Sequence, residues 1–129
     1  MFTVEQIKNA HSKVKTGADF PKYIQAIKQL GVHAFETWVS DSHTVYFSTD
    51  GYQTNSEPLY ENLEITNSTN ENQFNHYLKI HQKGQTNYVT FCQHCAGTGI
   101  EKWFADLNEM TCTYFDKAGN KILVEQIPG

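Results

Sequence analysis

No apolar run in this chain of 129 residues approaches the roughly 18 that a membrane-spanning helix needs. The opening residues MFTVEQIKNAH also lack the basic stretch followed by an apolar stretch that marks an export signal, so the expectation is a soluble, cytoplasmic protein with no membrane partner. Cysteine is scarce: three residues, an odd number, are too few for a disulfide scaffold, which leaves free thiols or metal ligands. Positive charge is short as well. Ten scattered basic residues stand against 14 acidic ones, for a net charge of −4. Non-specific nucleic-acid affinity comes from clustered Lys and Arg, so no nucleic-acid partner is expected. Finally, no G-x-S-x-G, phosphate-cradling glycine loop, G-x-G-x-x-G or H-E-x-x-H occurs, and nothing marks a catalytic centre.

What is present suits one compact core. The chain is 39% hydrophobic and 13% aromatic, enough for a single domain over residues 1–129 that buries roughly two thirds of its unfolded surface. Val4, Ile7, Ala10, His11 and Val14 recur at helical spacing, which predicts a helix over Thr3 to Lys15 stopped by Gly17. Asp19 and Pro21 open a second helix that ends at Gly31. From Val32 the period changes to two, and HAFETWVSDSHTVYFSTDG reads as a hairpin around a polar Ser40–Ser42 turn. Leu59, Tyr60, Leu63 and Ile65 form one expected edge strand, followed by an exposed TNSTNEN linker. Its Asn67 heads a glycosylation triplet without consequence in the cytoplasm. Two more helices follow, one through Phe74, Tyr77, Leu78 and His81, the other from Tyr88 to Ala96. KWFADL, MTCTYFD and KILVEQI then read as a strand meander.

The order repeats. An offset of 68 positions aligns Gln25 with Gln93, Gly31 with Gly99, Tyr46 with Tyr114, Phe47 with Phe115 and Gly51 with Gly119, without a gap. The match lapses after Gly51, where QTNSEP faces the apolar KILVEQ. The expected fold is α+β: two helix–helix–β-hairpin units related by internal duplication, halves at about 1–65 and 70–129, forming an antiparallel sheet with helices packed on one face.

The stretch TFCQHC gathers Cys92, His94 and Cys95. At offset 68 the two cysteines lie over Ile24 and Ile27, which predicts a buried stripe of small hydrophobes and no metal or cofactor. The alternative is a zinc-binding or redox module completed by Cys112 and His94. It lacks the second ligand pair of a zinc site, and the cysteines fall late in their helix, away from the dipole that would lower a thiol pKa. His11, His33, His43, His76 and His81 show no ligand spacing and read as surface or helix-face residues. The acid pairs Glu61/Glu64 and Asp106/Glu109 read as solvated turn or strand residues. Alternation along the strands sets Trp38 and Phe104, with Glu36 and Asp106, on the face opposite Phe35, Val39, Trp103 and Leu107. If helices cover only one face, those four residues form a surface for a protein partner or a second copy.

The segments KVKTGADFPKYIQAIKQLGV, TFCQHC and GIEKWFADLNEMTCTYFDKAGNKILVEQIP resemble the family catalogued as domain of unknown function 1398, small proteins of enteric bacteria and their prophages, sometimes labelled phage envelope protein-like. The resemblance covers nearly the whole chain and is most specific in the C-terminal block. It implies an α+β domain and a link to prophage genes, and it brings no activity and no catalytic residues. The leading expectation is a non-enzymatic interaction or self-associating domain. The thiol module is the runner-up, and a small ligand held in the groove between the halves is the third reading.

Overall fold

The computed structural model describes residues 2–14 and 19–127. Among these, the elements run α1 (Val4–His11), α2 (Phe20–Leu30), β1 (Ala34–Trp38), β2 (Thr44–Phe47), β3 (Gln53–Asn55), α3 (Glu71–Gln82), α4 (Tyr88–Gly97), β4 (Ile100–Asp106), β5 (Thr111–Asp116) and β6 (Lys121–Gln126). The fold is α+β, with all six strands in one antiparallel sheet of order β3-β2-β1-β4-β5-β6.

Local chemistry explains most helix ends. Thr3 accepts a hydrogen bond from the Gln6 N–H while the Gln6 amide oxygen accepts from the Thr3 N–H, a reciprocal capping box. Asn70 and Asn87 cap α3 and α4 by accepting from the Gln73 and Thr90 N–H groups. Gly31 ends α2 at φ 104, a left-handed conformation that glycine adopts without a Cβ penalty. The first helix closes at His11, earlier than its apolar spacing predicts, and the expected stop at Gly17 lies outside the described residues.

The two helix pairs cover one face of the sheet. Phe35, Val39, Trp103, Ala105, Leu107 and Tyr114 are buried on that side. Their rings meet the helices at Tyr23–Phe35, Phe91–Trp103 and Phe74–Tyr114. Ile24, Ile27, Cys92 and Cys95 close the core from above, each fully buried.

Strand registers recur at the offset that the sequence suggests. Ala34 pairs with Phe47 across β1–β2, and Lys102 with Phe115 across β4–β5, each partner 68 residues on. At the central β1–β4 ladder Glu36 lies opposite Phe104, its own counterpart, while Phe35 faces Ala105 and Thr37 faces Trp103. Ser42 and Met110, the non-glycine residues with positive φ among those described, also occupy matching places before β2 and β5.

Two expectations need correction. The first half carries three strands, not a hairpin, and so matches the meander expected of the second: polar Gln53–Asn55 forms β3 on the main-chain groups of β2, and an edge strand needs no apolar side chains for that. The segment around Leu59 to Ile65 is no strand, because its backbone bonds go to the preceding turn, Leu59 N–H to Asp41 and Leu63 N–H to Ser40. The following linker is exposed, as expected, and is held in place by hydrogen bonds. Thr66 and Asn70 donate to the carbonyls of Ala96 and Thr98, and the Lys117 ammonium reaches the Ile65 carbonyl and Asn67.

Candidate functional site

Between the helix pairs and the sheet lies a cavity of about 740 Å³. Its floor is Phe35, Thr37 and Tyr46 from the first half of the sheet and Trp103, Cys112 and Tyr114 from the second. Alternation places these side chains on the helix-covered face. Helices α1 and α2 wall it with His11, Phe20 and Tyr23; α3 and α4 contribute His81, Tyr88 and Phe91. Glu57 and Leu59 stand on one side, Glu125 and Ile127 on the other. Many of these residues occupy corresponding positions 68 apart, as in Tyr23/Phe91, Phe35/Trp103, Tyr46/Tyr114 and Glu57/Glu125. Both halves therefore line the cavity, the first with more residues than the second.

Its polar groups are hydroxyls and imidazoles among aromatic rings. The hydroxyls of Thr37 and Thr44 pair at 2.8 Å, and those of Ser42 and Tyr88 at 2.6 Å. Tyr23 and Tyr46 hydroxyls stand 3.5 Å apart, a long contact that leaves hydrogen-bonding capacity facing the space. Burial pushes the Tyr23, Tyr88 and Tyr114 phenols upward, so they stay protonated. His11 lies edge-on to Tyr23 at 5.1 Å and to Tyr88 at 5.8 Å. His81 stacks on Phe91 at 4.4 Å, with Nδ1 3.1 Å from the Thr86 hydroxyl. Burial lowers both imidazole pKa values, which keeps the rings neutral near pH 7. The Cys112 thiol is pushed up to about 12 by burial, which outweighs the lowering hydrogen bond with Tyr114; the charge of Glu125 adds a smaller upward push. No thiolate stands ready as a nucleophile here. The arrangement suits holding a flat, largely apolar molecule with a few hydrogen-bonding atoms.

The residues singled out from the sequence fall elsewhere or play other parts. Cys92 and Cys95 are wholly buried, in the places Ile24 and Ile27 take in the first helix pair. Burial raises both thiols, and for Cys95 the neighbouring Cys92 and Cys112 add to it. His94 turns away and stacks on Tyr77 at 3.7 Å, its Nδ1 buried without a hydrogen-bond partner. Among the described residues no three His, Cys, Asp or Glu side chains are grouped to hold a metal ion.

On the far face Glu36 stands across from Phe104 and Trp38 across from Lys102. Lys102 ties this group together, 3.3 Å from the Glu36 carboxylate and 4.8 Å from the centre of the Trp38 ring. Asp106, the last residue of β4, accepts from the Asn108 and Glu109 N–H groups of the turn that follows.

A family model described as "Protein of unknown function (DUF1398)" matches residues 8–126. The chain belongs to that family. No curated protein matches it. For this DUF1398 member a groove between the halves was the third expectation, but its lining was not foreseen, since His11 and His81 read as ordinary helix-face residues. One signal was available: Glu57 and Glu125 fall at offset 68 inside the QTNSEP and KILVEQ segments, whose unlike hydropathy hid the match.

Proposed function

We propose that this protein binds a small, mainly aromatic molecule in the cavity between its helix pairs. The observation that carries this reading is the cavity itself: about 740 Å³ walled by eight aromatic side chains, with its polar groups confined to hydroxyls, two neutral imidazoles and a few side chains at the margin. That volume lies within the usual range for small-molecule sites, roughly 300–1,000 Å³. The matching contributions of the two halves support a further reading, that each half is a copy of one helix–helix–three-strand unit and that the site arose where the copies meet.

The test uses the two tryptophans. Trp103 lines the cavity and Trp38 lies on the opposite sheet face, so the Trp38→Phe variant reports on the cavity alone. Titration with the neutral probe N-phenyl-1-naphthylamine is expected to show one saturable site per chain, with energy transfer from Trp103. Absence of saturable binding, or transfer that survives only with Trp38 present, would overturn the reading.

A second reading rests on the uncovered sheet face, where Trp38 and Phe104 lie with Phe115, 5.3 Å from the Lys102 ammonium. Half-buried rings of this kind suit a protein partner or a second copy of the chain.

A further inference from the structure

The cavity carries a charge pattern as well as a shape. Its interior wall is lined by the rings of Tyr23, Phe35, Phe91 and Trp103. Among the described residues, the ionic side chains lining it are Glu57 and Glu125, one from each half, and Lys8. Lys8 on α1 and Glu57 after β3 are exposed, whereas Glu125 is half-buried and paired across the β5–β6 ladder with Cys112 on the cavity floor. Gln82 on α3 donates from Nε2 to Glu125 Oε1 at 2.8 Å, which fixes the carboxylate at the junction of α3 and β6. Its field reaches the floor, since it helps raise both the Cys112 thiol and the Tyr114 phenol after burial. The imidazoles of His11 and His81 add no compensating positive charge near pH 7.

From this we infer that the ligand is a planar aromatic cation, its positive charge drawn toward Glu125 and Glu57 and its rings stacked among the cavity aromatics. The inference rests on the ligand-binding reading above and deepens it. The physical reason is additive. Ring faces carry negative quadrupole density that attracts a desolvated cation, and a carboxylate at the edge of a low-dielectric space attracts it further. The same two features repel an anion of equal size. The Tyr23 and Tyr46 hydroxyls, 3.5 Å apart, can turn their oxygen lone pairs toward an N–H or an electron-poor ring edge.

Three probes of nearly one shape separate charge from shape: acridine at pH 8, where it is neutral, N-methylacridinium and acridine-9-carboxylate. Binding is followed by Trp103 quenching in the Trp38→Phe protein. N-methylacridinium is expected to bind at least tenfold more tightly than acridine, and the carboxylate more weakly than either. Glu125→Gln is expected to cut the cation preference to threefold or less, weakening cation binding more than acridine binding; Glu57→Gln is expected to lower the preference by a smaller factor. Circular dichroism of both variants checks that the fold is kept, and should Glu125→Gln fail to fold, the three-probe ranking in the parent protein decides alone. Acridine binding as well as its methylated cation would overturn the charge inference and leave the cavity reading standing. Failure of all three probes and of N-phenyl-1-naphthylamine would overturn both.

Discussion

A Cβ atom added at Gly99 would lie 2.7 Å from the carbonyl oxygen of Ser68 and 2.9 Å from the Cα of Thr69. Here the linker between the halves crosses the exit of α4, held by the Thr66 and Asn70 backbone bonds to Ala96 and Thr98. Gly99 also has φ +87, where a side chain is strained whatever the space. Gly119 has nearly the same φ, +85, with nothing near a built Cβ.

The pair separates backbone strain from collision. Gly119→Ala is expected to cost about 1–2 kcal/mol, the ordinary penalty of a left-handed alanine. Gly99→Ala adds a clash with backbone atoms and is expected to cost at least about 3 kcal/mol or to prevent folding. Urea unfolding of both variants checks this, and equal midpoints would show that the linker yields without cost.

The helix cysteines should behave as small hydrophobes. Ile27 and Cys95 occupy corresponding, fully buried positions. Ile27→Ala is expected to cost about 2–5 kcal/mol as a large-to-small core change, and Cys95→Ala clearly less because fewer buried atoms are lost. Burial holds all three thiols in the protonated form. Titration with a thiol reagent at pH 8 should therefore label less than one cysteine per native chain and three in guanidinium. Rapid labelling of the native protein would restore the redox reading.

Stability should fall on both sides of neutrality. Burial lowers the pKa of His11, His81 and His94, so the unfolded chain binds protons below about pH 6.5 that the native chain refuses, and stability drops as pH falls through that point. The thiols act in the opposite sense. Their raised pKa values keep protons that the unfolded chain releases above about pH 8.5, so stability also drops as pH rises past it. Urea midpoints at pH 5.5, 7.5 and 9.5 should peak in the middle, and His81→Gln should flatten the acid limb alone.

Trp38→Ser tests the uncovered face. Its contacts are the Lys102 ammonium and the stacked His43 ring at 6.2 Å, so monomer stability should change by no more than about 1–2 kcal/mol. If that face joins two copies, sedimentation velocity will show the variant shifting toward monomer. An unchanged profile counts against self-association through it.

Local chemistry made much of the fold legible. Gly31 marks the end of α2 through its left-handed backbone, a signal that sits at the residue where the helix stops. The burial of Cys92 and Cys95 was readable because the offset of 68 laid them over two isoleucines on a helical stripe. The third strand of the first half was hidden because Gln53–Asn55 is held by main-chain pairing to β2, and its side chains carry no apolar alternation.

By itself, then, the sequence determined the helix and strand periods and which apolar residues turn inward, because periodicity and offset are properties of neighbouring or aligned residues. Tertiary structure alone decided that His11 on α1, His81 on α3 and Glu125 on β6 would surround one space. That space exists because two helix pairs rest apart on a sheet whose halves join at β1 and β4, a distance between non-local elements that no local pattern encodes.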